Sequence, residues 1–253
     1  MVSTASRAVT WTIVTWNAHG SADPPIGPVA AALSELGADV LALQEVQPGQ
    51  AAGIARALGA QHAWALGHYV PTWPWRLRAG AEGLAIVTPH TLRVEGSEVI
   101  SARRWKWTWR RRIQLEALVE RDDHSAYRIV NAHLSPGHLA AERRAESAKV
   151  AARARRVTSP AAVVAGDLND AGEPIVRQTI EAAGLRDGWN AAGIEPALTN
   201  PSSDPYQTLD HVLMPGAATG VTVDVPPGDW AEWSDHLPVR AVFTLQWAAG
   251  DFT

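Results

Sequence analysis

The 253-residue chain carries 22 Lys and Arg against 26 Asp and Glu, a formal charge of −4, with 46% hydrophobic residues and no cysteine. An acidic balance excludes a global basic field as the force that brings the protein to nucleic acid or anionic lipid, so any such attraction must be local. Without cysteine there is no disulfide framework and no thiolate metal site; ligands must be oxygen or imidazole, which suits magnesium, manganese or calcium where carboxylates dominate.

From the N-terminus, Met1 to Thr10 lacks the basic start and apolar run of a signal peptide. No stretch approaches the roughly 18 apolar residues of a membrane span, so a soluble, cytoplasmic monomer is expected. Val9 to Ala18 reads as a strand, and Pro28 to Leu36 as a helix with Pro in its first turn and Gly37 as its stop. Val40 to Val46 is a short apolar run, a buried strand, and Pro48 to Leu58 a second helix. Short strands follow at Gly83 to Thr88, Leu92 to Ile100, Ile113 to Glu120 and Tyr127 to Leu134. Leu139 to Val157 is the clearest helix; Ala161 to Ala165 is a strand, Glu173 to Ala183 a helix, and Gln207 to Met214 and Pro238 to Leu245 are closing strands. No repeat or long linker divides the chain. One domain over residues 1–253, with its core at 9–247, is expected, a mixed α/β fold of two sheets and outer helices.

Chemistry-bearing residues sit at the ends of these runs: Thr15-Trp16-Asn17, Leu43-Gln44-Glu45, Asn131-Ala132-His133-Leu134, Gly166-Asp167-Leu168-Asn169 and Ser234-Asp235-His236, with Leu209-Asp210-His211 embedded in a strand. Ligand sites of α/β folds lie outside strand ends, where such residues converge. Singly, each has a plain structural reading. Asn17 caps a turn, Glu45 is solvated or salt-bridged, Gly166 to Asn169 is an Asx turn, His133 is a satisfied buried histidine, and Asp235 with His236 is an N-cap or a surface pair. Independent turns are not expected to recur after one apolar run after another.

Together with Gly-Leu-Ala-Ile at 83–86, these motifs resemble the endonuclease/exonuclease/phosphatase superfamily, the deoxyribonuclease-I-like fold. The resemblance implies a four-layer α/β sandwich, two mixed sheets packed face to face with outer helices. It implies hydrolysis of a phosphate ester with a divalent cation, Mg2+ or in its place Mn2+. Glu45 is the first choice for a metal carboxylate and Asp235 the second. Asn17 offers its amide oxygen to the metal or its NH2 to phosphate. By the resemblance, Asp167 orients or activates the water and Asn169 donates to the transition state. His236 meets the scissile phosphate as imidazolium or general base, with Asp210 as its carboxylate partner. His133 protonates the leaving oxygen, and Glu82 holds His133 from behind. In one departure, many nucleases of the family carry an acid two positions after the Asn of Trp-Asn, where this chain has His19.

Residues 103–112, Arg-Arg-Trp-Lys-Trp-Thr-Trp-Arg-Arg-Arg, place six cations and three tryptophans in ten positions. On a strand the tryptophans share one face. Three readings stand: Trp107, Arg111 and Arg112 bind nucleic acid by stacking and phosphate contact; the segment meets an anionic membrane surface; or a hairpin packs its tryptophans on the core. Trp73 and Trp75, with Arg76 and Arg78, form a smaller aromatic-basic loop. The expected function is a nuclease cutting phosphodiesters of DNA or RNA. The alternative is a phosphodiesterase or phosphatase acting on a lipid headgroup or small ester. A catalytically silent binding protein fits less well, because Asp167, Asn169, Asp235 and His236 are all in place.

Overall fold

Strand β1 (Arg7–Asn17) shows the logic of the architecture in its own residues. Val9, Trp11 and Ile13 enter one apolar cluster, whereas Val14 and Trp16 enter another. That alternation is the period-two pleat of a strand covered on both faces. The computed structural model describes residues 7–70, 80–155, 161–170 and 172–247.

After β1 come α1 (Ile26–Glu35), β2 (Val40–Val46), α2 (Pro48–Ala57), β3 (Gln61–Val70), β4 (Gly80–Thr88), β5 (Thr91–Val99), β6 (Ile113–Glu120) and β7 (Ala126–His133). Then come α3 (Ala140–Arg155), β8 (Ala162–Asp167), α4 (Pro174–Glu181), β9 (Leu185–Asp187), α5 (Gly188–Ala192), β10 (Asp210–Pro215), β11 (Thr219–Asp224) and β12 (Val239–Trp247). The strands form two six-stranded mixed sheets, in the orders β11-β12-β1-β2-β4-β3 and β5-β6-β7-β8-β10-β9. Each sheet has one parallel pair at its centre, β1 with β2 and β7 with β8, flanked by antiparallel neighbours.

The inner faces meet in a single core that includes Ile13, Val40, Ile86, Leu115, Ile129, Val163, Val212 and Phe243. Helices α1 and α2 cover the outer face of the first sheet through Val29, Leu33, Ala51 and Ile54. Helices α3 and α4 cover the second through Val150, Ala154, Val176 and Ile180. This is the expected four-layer sandwich. No helix among the described residues is long and apolar enough to cross a membrane.

Four elements were not legible in the sequence: β3, β9, α5 and β11. Strand β3 mixes Ala and Gly with its apolar residues, and β-propensity is weak there; pairing with β4 along its length overrides it. Strand β11 is an exposed edge containing Gly220. Residues 103–112 are not a strand. They form turns, closed by Thr108 N–H donating to Trp105 O and Arg111 N–H to Thr108 O. Trp73, Trp75, Arg76 and Arg78 lie outside the described residues, as does the expected end of the third helix at Val157.

The sheets are tied together beneath the site by buried amides. Gln44 Nε2 donates to Asn131 Oδ1 at 2.8 Å, from one sheet to the other. Asn131 Nδ2 returns bonds to Leu43 O and Ala85 O, each at 2.9 Å. Buried amides left unpaired cost about 1–3 kcal/mol each, so the arrangement fixes how the two parallel pairs meet. Within β8, Gly166 has φ 150, and a Cβ there would collide with Ala132 O of β7. Gly166→Ala is therefore expected to cost at least about 3 kcal/mol. A urea unfolding midpoint equal to that of wild type would show that β7 and β8 can move apart freely.

Candidate active site

Strand register gathers the site before any side chain is considered. Both parallel pairs terminate at one end of the sandwich, β1 at Asn17 beside Gln44, and β7 at His133 beside Asp167. Strand β10 runs antiparallel to β8, so its first residue, Asp210, pairs with Asp167 at that same end. Asp210 therefore opens its strand rather than lying inside one. Ser234 to His236 likewise follows a short helical turn, Trp230–Glu232, and precedes β12. That loop is pinned to β1: Ser234 Oγ donates to Asn17 O at 2.6 Å, and Trp16 Nε1 to His236 O at 3.0 Å. Glu45 sits where β2 breaks register with β4, and its φ of 51 is left-handed. Such a bulge re-aims a side chain, and a non-glycine residue holds that backbone only where its surroundings impose it. Gly20 packs so close to Glu45 O that a Cβ would collide with it.

A line of polar groups crosses this end. Thr199 Oγ1 donates to Asp210 Oδ2 at 2.7 Å, and the same oxygen accepts from His236 Nδ1 at 2.9 Å. The other ring nitrogen, Nε2, faces Asp167 Oδ2 across 3.7 Å. Asp167 Oδ2 also accepts from Asn17 Nδ2 at 3.1 Å, and Oδ1 from Asn169 N–H at 3.0 Å. The second of these is an Asx turn with Asn169 at φ 52, so the plain structural reading of Gly166 to Asn169 holds alongside the functional one. Asn169 Nδ2 donates to Leu134 O at 3.0 Å. His133 lies 3.4 Å from Asp167 Oδ2 and 3.8 Å from Glu45 Oε1. Arg112 is buried, with Nη1 3.1–3.2 Å from both ring nitrogens of His133.

Charge in this enclosure is unevenly held. Burial raises Asp167 to about 7, and the nearby Asp210 carboxylate adds to the effect. Burial opposes the charge on His236, but Asp210 and Asp167 outweigh it and lift the ring to about 10. His236 is thus an imidazolium at neutral pH, of the two states left open by sequence. Burial, with Arg112 and His236 nearby, pulls His133 well below its ordinary value. A neutral ring donates a hydrogen bond rather than a proton.

The remaining predicted residues fall around this line. Asp235 pairs with His19 at 3.2 Å, and His19 N–H donates to Asn17 Oδ1. Bonding to Asp235 raises His19, and Glu45 and Glu82 push in the same direction, so three carboxylates converge on one imidazole. Glu82 lies 3.7 Å from His68 Nε2, a ring that burial, with Arg112 and Arg111 nearby, lowers to about 4 and so keeps neutral; among the described residues no such contact joins Glu82 to His133. Arg111 Nη1 donates to Leu66 O at 2.6 Å and also to Gly67 O. Glu45, His68, Glu82, Arg111, Arg112 and His133 line one cleft. Trp107 stands outside it, against Tyr69. Sequence reasoning missed His68 and Thr199. His68 lies in the strand whose pattern was weak, and a lone Thr in a loop carries no periodic signal.

The sequence profile of the endonuclease/exonuclease/phosphatase family matches residues 14–236, from the middle of β1 to His236 itself. The chain belongs to the endonuclease/exonuclease/phosphatase family. Members of the family are in general hydrolytic phosphoesterases. Several solved structures share its fold. A family protein from Bacteroides thetaiotaomicron has a TM-score of 0.72 at 15% identity, covering 95% of this chain and 100% of that one. Another from Beutenbergia cavernae has a TM-score of 0.72 at 21% identity, covering 94% and 72%. TDP2 from Caenorhabditis elegans has a TM-score of 0.70 at 19% identity, covering 94% and 75%. No curated protein matches the chain in sequence.

The donor chemistry fits the divalent cation that this family generally uses. Among the described residues Glu82 Oε1 is buried with no hydrogen-bond partner, and burial together with the Glu45 charge raises Glu82 to about 7 against hydrogen bonding from Ser21. Crowded carboxylates of this kind are what a hard cation relieves. Deeper in, ligand atoms of Asp167, Asp210 and His236 also lie within 4.8 Å of one another and form a buried group able to hold a metal. There His236 and Asp210 already bond each other through Asp210 Oδ2, while Asp210 Oδ1 has no partner among the described residues.

Proposed function

We propose that this family member is a divalent-metal-dependent phosphodiesterase of the nuclease type, cutting phosphodiester bonds of DNA or RNA. The observation that carries the reading is the Asp210–His236 pair facing Asp167 across 3.7 Å. Asp167 orients the attacking water and takes its proton. The His236 imidazolium, steadied by Asp210, holds a phosphoryl oxygen as charge builds on it. Arg112, buried beside His133, adds a second positive charge. Asn169 and Asn17 keep Asp167 in place, and the second N–H of Asn169 remains for the phosphate. His133 donates a hydrogen bond to the leaving oxygen as the phosphorus–oxygen bond breaks, and that oxygen takes its proton from solvent. When bound by Glu45, Asp235 and Asn17, Mg2+ or Mn2+ supplies charge that offsets the phosphoryl oxygens.

A second reading, action on a lipid headgroup or other small phosphate ester, draws support from the exposure of Trp105, Trp107 and Trp109. A substrate panel separates the two: plasmid DNA, RNA, bis-p-nitrophenyl phosphate, p-nitrophenyl phosphate and sphingomyelin or phosphoinositide vesicles, each with Mg2+, Mn2+ or EDTA. Nucleic acid and the synthetic diester are expected to be cut with metal, to be spared in EDTA and to be cut again after Mg2+ is restored. Undiminished turnover in EDTA would sink the metal requirement, and release of phosphate from monoesters alone would sink the nuclease reading.

A further inference from the structure

Residues 103–110 lead in the chain directly to Arg111 and Arg112, which line the cleft, and take no part in the chemistry above. Trp105, Trp107 and Trp109 are 70%, 52% and 45% exposed, in a chain that buries Trp11, Trp16, Trp189 and Trp230 almost completely. The hairpin reading, with the tryptophans on the core, is therefore overturned. Two of the exposed rings are braced rather than free. Trp107 lies against Tyr69, with centroids 4.6 Å apart and planes tilted by 31°. Trp109 has His138 at 5.9 Å and the Arg110 guanidinium at 5.2 Å. Tyr69 is itself fixed to the segment, its N–H donating to Lys106 O at 2.6 Å. None of Arg103, Arg104, Lys106 and Arg110 has a carboxylate partner among the described residues.

We propose that this segment is a stacking platform that selects single-stranded nucleic acid and leads its backbone into the cleft. The proposal deepens the nuclease reading and rests on it for the bond that is cut, though not for the binding itself. A single strand offers flat bases beside anionic phosphates, and the turns of the segment expose the indoles of Trp105, Trp107 and Trp109 together with the unpaired cations of Lys106 and Arg110. The next two residues turn inward, Arg111 to the carbonyls of Leu66 and Gly67 and Arg112 to His133. A chain lying on the platform thus passes from exposed cations to the reaction centre without leaving positive charge. A duplex keeps its bases stacked on one another and offers the indoles little face. A membrane is the poorer occupant. Residues 103–110 contain no aliphatic or Phe side chain, each indole is separated from the next by a polar residue, and braced rings do not project as a wedge.

The test measures anisotropy of a labelled single strand, and of the duplex of the same sequence, with the whole protein in EDTA. Vesicles of phosphatidylserine and phosphatidylcholine are run beside them in a sedimentation assay. Wild type is expected to bind the single strand at least tenfold more tightly than the duplex. Trp107→Ala and Trp109→Ala should each weaken single-strand binding about tenfold, with Trp107→Phe retaining most of it. Because these rings are exposed, thermal midpoints should barely change. Unchanged single-strand affinity in both alanine variants overturns the platform. So does a wild type that sediments with vesicles and ignores the single strand. Hydrolysis of bis-p-nitrophenyl phosphate by wild type with Mg2+ reads the chemistry separately. Its failure with single-strand selectivity intact would remove the nuclease reading and leave the platform standing.

Discussion

Asp167→Asn is expected to lower kcat on a phosphodiester about a thousandfold, roughly 4 kcal/mol of transition-state stabilisation. The change keeps the shape of the side chain, removes its ability to take a proton from water and turns one of its two accepting oxygens into a donor. Asp167 is fully enclosed, bonded by Asn17 and Asn169 and faced by His236 and His133. Its carboxyl is held near 7, chiefly by burial. A raised carboxyl is protonated and idle below that value and active above it, so kcat/KM of the wild type should climb as pH passes through about 7. That limb should disappear from the residual activity of the Asn variant. Folding gives the control. Since a desolvated carboxylate is itself costly, the variant should melt no lower than a few degrees below wild type. Wild-type turnover, or a retained acid limb at reduced rate, would assign the proton to another group.

Much of this site was readable because its residues lie at the ends of apolar runs. Asn17, His133 and Asp167 each close a strand that packs on both faces, and strong periodicity both marks the strand and places its last residue. The four-layer arrangement follows from the same runs once helices are known to separate them. What could not be read is what depends on contacts across the sandwich. The role of Gln44 and Asn131 as the tie between sheets needs the two sheets face to face. Thr199 reaches Asp210 only because its loop folds back over β10. Glu82 meets His68 because β3 pairs with β4 in a register that places them opposite one another, and β3 itself gave no strand signal. The fate of His19 was equally hidden. It occupies the position where an acid was anticipated, and it returns the local charge balance by taking Asp235 as a partner.

The Asp210–His236 pair carries the other large effect. His236→Ala should cost at least about a thousandfold in kcat, since it removes the imidazolium that faces Asp167. Asp210→Asn is more informative, because His236 stays in place and only its partner changes. The carboxylate does two things: it orients the ring by accepting from Nδ1, which leaves the Nε2 proton facing Asp167, and it lifts the ring to about 10 against the opposing effect of burial. With the pKa raised, the imidazolium persists through neutral pH and is lost as pH rises through about 10, so the wild-type profile should fall only at that alkaline limit. Substitution of the carboxylate by an amide leaves burial to lower the ring with less opposition. The alkaline limb should then move down by more than one pH unit, together with a loss of about a hundredfold at the optimum. A purely structural role for Asp210 would reduce the rate and leave the limb where it was. The pH profile of kcat/KM, measured on the synthetic diester so that binding at the tryptophan segment does not enter, distinguishes the two.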